Sequence, residues 1–198
     1  MSREKCLKCQ YPKVACICES ITQLEITNKV IVLQDPAEVK HAKNTVKLLT
    51  LVIPNISVIV GETPEDFTRL KLFLQQSKKA VYVIYPSNDS ICIDDIKPVK
   101  DAILLFLDGT WRKVFKMINL NPWLEQYPAL HLNLDKPSQY KIRKAPRGDS
   151  LSTLEAVALS LKTIDCDLDV APLYLALNAM VNKQLQFMPE AARKRYDK

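Results

Sequence analysis

Glycine is scarce in this chain: only Gly61, Gly109 and Gly148 occur among 198 residues. Neither G-x-G-x-x-G nor G-x-x-x-x-G-K-[ST] is present, which excludes a dinucleotide fingerprint and a P-loop. Any nucleotide-like ligand must be held by another device. Long apolar runs are missing as well, and none approaches the roughly 20 residues that cross a bilayer. The start, Met-Ser-Arg-Glu-Lys-Cys, lacks the apolar core of a secretory signal. We therefore expect a cytoplasmic protein with no membrane partner. No internal repeat, low-complexity tract or long linker interrupts the sequence, and no feature of it points to an obligate protein partner.

What is present suits an ordinary folded domain. Hydrophobic residues make up 47% and charged residues 25%, enough for a sizeable core in a single unit with a small appendage. The formal net charge of +6 favours anionic partners weakly, without identifying nucleic acid. Cys6, Cys9, Cys16 and Cys18 form a C-x2-C-x6-C-x-C pattern. Four thiolates so close together suit a closed tetrahedral zinc site. Disulfides are the rival reading, disfavoured by a cytosolic setting. Cys92 and Cys166 stand alone and read as core or surface thiols. We expect a zinc-binding knuckle over residues 1–24 and an α/β domain over 25–198.

Apolar periodicity lays out the rest. Strands are expected over 30–33, 56–60, 80–85, 102–107 and 129–134. Between them, Val39, Ala42, Val46 and Leu49 give one helix face. Thr63-Pro64-Glu65-Asp66 reads as the start of another, backed by Phe67, Leu70 and Leu74. Trp111, Val114, Phe115 and Ile118 recur at helical spacing, as do Leu154, Val157, Ala158 and Leu161. Ala171-Pro172 opens a last helix with Leu173, Leu177, Met180, Val181 and Leu185 facing inward. Strand and helix in alternation imply an α/β fold, a mostly parallel sheet with flanking helices.

Three stretches carry candidate chemistry. The strand ending at Asp108-Gly109 puts an acid at a carboxyl edge, where ligands bind in open α/β sheets. A capping Asp with Trp111 packed in the core would give the same pattern. Residues 140–149 hold Tyr140, Lys141, Arg143, Lys144 and Arg147, which suit phosphates and a stacked base, or simply a solvated loop. Another basic cluster, Arg193-Lys194-Arg195-Tyr196, lies at the terminus. Ser152-Thr153-Leu154-Glu155 forms a capping box, which satisfies orphan backbone donors and also opens a helix end attractive to anions.

Asp108-Gly109-Thr110-Trp111 matches the Asp-x-Thr-Trp signature of the DTW-domain family. The early cysteines, Asn44-Thr45, Tyr85-Pro86-Ser87 and Leu151-Ser152-Thr153-Leu154-Glu155-Ala156 follow in the family's order, so the resemblance covers nearly the whole chain. It implies a SPOUT-like fold whose C-terminal part threads into a trefoil knot. It also implies transfer of the 3-amino-3-carboxypropyl group of S-adenosylmethionine to N3 of a tRNA uridine. Asp108 would then be the base or the orienter of the uracil edge, with Thr110 and Trp111 beside it. Tyr85, Pro86, Ser87, Leu107, Ser152, Thr153 and Glu155 would hold S-adenosylmethionine. Lys141, Arg143, Lys144 and Arg147 would meet tRNA, and Cys6, Cys9, Cys16 and Cys18 a structural zinc. Relatives usually carry a His at the position of Asp35, ahead of Pro36 and Glu38, so no role is assigned to Asp35. Two alternatives stand beside this reading: a methyltransferase using the same donor, and a non-enzymatic, zinc-containing RNA-binding module.

Overall fold

The apolar run before Asp108 becomes the strand on which the sheet is centred. In the computed structural model, which describes residues 4–41, 43–96, 100–133 and 151–193, strand β5 is Ile103–Asp108. Around it stand β1 (Lys29–Gln34), β2 (Ser57–Val60), β3 (Val81–Ile84), β4 (Ile91–Cys92) and β6 (Ala129–His131). Their order across the sheet is β2-β1-β5-β3-β6-β4, and every pairing is parallel. Register sets Gln34 beside Asp108 at the carboxyl edge, with Ile84 beside Phe106.

Because side chains alternate along a strand, β5 feeds two cores. Leu104 and Phe106, with Val30 and Val32, pack against α1 (Val46–Val52), α4 (Thr153–Ile164) and α5 (Ala171–Gln186). Ile103 and Leu105, with Ile31 and Leu33, pack against α2 (Thr68–Gln76), Met117 of α3 (Trp111–Leu120) and Trp123. A short α6 (Glu190–Arg193) follows. Leu104 and Leu105 are both fully buried, each contributing about 1.5–3 kcal/mol through removal from water.

Several expected boundaries move, for local polar reasons. The helix expected from Val39 starts at Val46. Asp35 Oδ1 accepts from the Ala37 N–H at 2.8 Å and starts a run of turns. Asn44 Oδ1 then accepts from the N–H groups of Val46 (2.9 Å) and Lys47 (3.4 Å), so Asn44 caps α1 instead of lying inside it. Val39 is exposed, and Ala42 lies outside the described residues. The helix expected from Thr63 starts at Thr68, because Asp66 Oδ2 accepts from the N–H groups of Glu62 and Thr63 and closes a loop first. Gly61 is required there, since a Cβ would sit 2.4 Å from that of Asp66. Strand β4, of two residues, is too short to have an apolar period. On α3 the buried residues are Val114 and Met117; Phe115, expected to face inward, is 62% exposed. The expected fifth strand ends at His131, and Leu134 lies outside the described residues. So do residues 135–150.

Candidate active site

At the carboxyl edge of the sheet, Asp108 is gripped from both sides. Gln34, its register partner on β1, donates from Nε2 to Asp108 Oδ2 at 2.8 Å. Thr153, at the first turn of α4, donates its hydroxyl to Oδ1 at 2.5 Å. Gln34 Nε2 also reaches Asn44 Oδ1 at 3.3 Å, and Leu154 N donates to Thr45 Oγ1 at 3.4 Å. The ends of β1, β5, α1 and α4 are thus tied together through one carboxylate. Donors on both oxygens fix the plane of the carboxylate.

Beside Asp108 opens a pocket of about 490 Å³, lined by Tyr85, Pro86, Leu107, Gly109, Trp111, Ser152 and Thr153 among others. Tyr85 and Trp111 lean toward one another, ring centroids 6.1 Å apart. Burial pushes the Tyr85 phenol above its usual value. Trp111 is 44% exposed, so it stands at the mouth instead of packing in the core. A volume in this range, mostly apolar with a few convergent polar groups, suits a ligand of nucleoside size.

The expected residues divide unevenly around this pocket. Tyr85, Pro86, Leu107, Trp111, Ser152 and Thr153 line it, and Asp108 lies between the lining residues Leu107 and Gly109. Ser87 lies in the turn after Pro86, where its N–H donates to Ser90 Oγ. Thr110 occupies the N-cap position of α3 but makes no side-chain cap, and it lines a separate open groove with Asp35, Arg112 and Lys113. Glu155 is 2% exposed and turned into the capping box, where Oε2 accepts from Ser152 N (2.8 Å) and Ser152 Oγ (2.7 Å). Its carboxylate also helps raise the Tyr174 phenol, after burial. Lys141, Arg143, Lys144 and Arg147 lie outside the described residues.

Sequence reasoning missed Gln34, Asn44's link to it, and His131. His131, another pocket-lining residue, sits with Nδ1 3.0 Å from Ser90 Oγ. Asp35 gains a structural part. It is 4% exposed and, with Glu38, flanks the Lys113 ammonium at 3.3 and 2.8 Å. Those carboxylates raise the Lys113 pKa, Glu38 most strongly.

Outside this pocket, the four early cysteines converge. Cys6 and Cys18 sulfurs are 3.6 Å apart, those of Cys9 and Cys16 3.7 Å, and all four lie within 4.8 Å. Zinc–sulfur bonds of about 2.3 Å in a tetrahedron require sulfurs about 3.8 Å apart. A disulfide needs about 2.05 Å, and all four are free thiols. The cluster could hold one metal ion. Backbone N–H groups of Cys9 and Lys8 hold Cys6 down to about 6, while the hydrogen-bonded Cys16 thiol, with burial, pushes Cys18 up to about 12. Four thiolates cannot share this space without a cation among them.

Comparison with known proteins agrees with this architecture. tRNA-uridine aminocarboxypropyltransferase 2 of Macaca fascicularis is 26% identical over 192 residues, covering 93% of this chain and 64% of its own length. The Drosophila melanogaster protein of that name is 27% identical over 169 residues, covering 82% and 67%. tRNA-uridine aminocarboxypropyltransferase A of Arabidopsis thaliana is 25% identical over 195 residues, covering 83% and 74%. The chain thus spans about two thirds of the length of these relatives. Among the described residues, no helix is long and apolar enough to cross a membrane. The model of the DTW domain matches residues 3–185, and the chain belongs to the DTW domain family.

Proposed function

We propose that this protein is a cytoplasmic tRNA-uridine aminocarboxypropyltransferase, which moves the 3-amino-3-carboxypropyl group of S-adenosylmethionine to N3 of a tRNA uridine. The relatives' names supply the class of reaction. The observation that carries it onto this chain is Asp108, held by Gln34 and Thr153 beside a pocket walled by Tyr85 and Trp111.

The pocket fits the donor in size and chemistry. Tyr85, Pro86, Leu107, Ser152 and Thr153 would hold S-adenosylmethionine, and the two aromatic rings suit a sulfonium cation. When bound, the sulfonium supplies a leaving group that is already activated. The chain's own task is the acceptor. Uridine N3 carries a proton near pH 7, and a carboxylate within hydrogen-bond reach must hold or take it. Gln34 and Thr153 hold the Asp108 carboxylate at the edge of the pocket, where a uracil N–H would meet it. Trp111, half-exposed at the mouth, suits stacking on the base, with Thr110 one residue before it. Ser87 and Glu155 act at one remove, by holding the pocket's turn and the first turn of α4. Lys141, Arg143, Lys144 and Arg147 would meet tRNA phosphates or the donor's carboxylate. Cys6, Cys9, Cys16 and Cys18 would hold one structural zinc in the 1–24 element, apart from the catalytic unit of 25–198.

Incubation with tRNA and S-adenosylmethionine, followed by mass spectrometry, tests the reading. The expected products are an aminocarboxypropylated uridine and 5′-methylthioadenosine. S-adenosylhomocysteine with a methylated nucleoside would make the protein a methyltransferase. Bound but unmodified tRNA would make it a binding module.

A further inference from the structure

The cysteine knuckle and the segment between β1 and α1 carry cations that the proposed active site does not use. Lys5, Lys8 and Lys40 are exposed, and none pairs with an acid among the described residues. Three of the acids in these stretches are engaged, Glu4 by Lys13 at 2.6 Å and Asp35 and Glu38 by Lys113 at 3.3 and 2.8 Å, while Glu19 is exposed on the knuckle. The knuckle also packs on the first turn of α1. Lys47 Nζ lies 3.9 Å from the centroid of the Tyr11 ring in the knuckle. Leu7 at the knuckle's tip is 92% exposed and Val14 is 63% exposed, apolar surface set among the lysines.

This cationic edge is coupled to the catalytic carboxylate by a short relay. Asn44 caps α1 at Val46 and Lys47, accepts from Gln34, and Gln34 holds Asp108. A polyanion lying along this edge would meet its ammonium groups close to the relay that ends at Asp108.

We propose that the knuckle, Lys40 and the first turn of α1 form an RNA-binding surface, on which Lys5, Lys8, Lys40 and Lys47 meet backbone phosphates of the tRNA whose uridine reaches Asp108. The inference rests on the transferase reading and adds a docking face to it. It gives the cysteine cluster a second task, holding Lys5 and Lys8 in fixed positions.

Counterion release provides the measurement. Each lost phosphate contact lowers the slope of log K against log salt by about 0.7–0.9. The triple variant Lys5→Ala, Lys8→Ala, Lys40→Ala should therefore bind a tRNA transcript with a slope smaller by about 2–3. Zinc content and S-adenosylmethionine binding should stay as in the unaltered protein. A control variant, Arg69→Ala, Lys78→Ala, Lys79→Ala, removes the same charge around α2, which packs on the opposite face of the sheet, and should leave the slope nearly unchanged. If the unaltered protein binds tRNA and the triple variant keeps its slope, the surface is overturned and the transferase reading stands. An equal fall in both variants would also overturn it, since only net charge would then matter. If the unaltered protein shows no salt-dependent tRNA binding, both readings fall together.

Discussion

Asp108 shows how much one residue's role depends on partners distant in sequence. Gln34 and Thr153, which donate to it, lie 74 and 45 positions away. Asp108→Asn keeps the shape, since the amide can still accept from Gln34 while its NH₂ donates to the Thr153 hydroxyl. The charge is lost. Turnover should fall by about two to four orders of magnitude with donor binding kept; near-normal turnover would leave Asp108 a structural role only. Gln34→Leu removes one donor to a charged acceptor, worth about 1.5–3 kcal/mol, and should lower kcat about ten- to a hundredfold. Steady-state kinetics beside calorimetric binding of S-adenosylmethionine would separate the positioning loss from a general one, since donor affinity should not change. Asp108 itself was legible, because an apolar run that stops at Asp-Gly before helical spacing marks a sheet's carboxyl edge. Gln34 was not. A polar residue at a strand end carries no local sign of its neighbour in the sheet, and here register alone brings it beside Asp108. His131 was hidden for the same reason, its partner Ser90 lying 41 residues away.

Elements defined by side chain to backbone bonds at their own ends were read well from sequence. The capping box of α4 is present with both reciprocal bonds, and α5 begins with Pro172 in its first turn. Helix starts set by a competing turn were not, as Asp66 and Asn44 demonstrate, because an Asx side chain can close a loop or cap a helix with the same local sequence. The box at α4 also bears on the proposed site, since its second residue, Thr153, donates to Asp108. Ser152→Ala removes a cap and one of the donors to the buried Glu155 carboxylate. It should cost about 1–2 kcal/mol of stability, read as a lower urea midpoint with unchanged slope. Ser152→Thr should recover most of this. A midpoint equal to that of the unaltered protein would mean that α4 is held by its apolar stripe alone.

At the scale of the whole molecule, the question is whether the knuckle is an appendage or part of the fold. Cys9, Ile17 and Leu24 are buried in the same core as Leu173, Leu177 and Met180 of α5. Tyr11 donates its hydroxyl to Met180 Sδ at 3.4 Å, and Leu24 N donates to Val52 O at 2.7 Å. The cysteine cluster was legible from its spacing, but not this embrace, because Ile17 and Leu24 show no period that points to a helix some 150 positions later. A metal held by these thiols would therefore stabilise more than residues 1–24. Freshly purified protein should hold about one zinc per chain, since the geometry accommodates a single tetrahedral ion. Stripping it with a chelator, or Cys16→Ser, should lower one cooperative thermal transition, by about 2–4 °C for each kcal/mol lost in a protein of this size. Two separate transitions, with the upper one unmoved, would make the knuckle an independent unit. Absence of zinc from unchelated protein would remove the metal from the account, and the thiols would then have to be held together by the shared core alone.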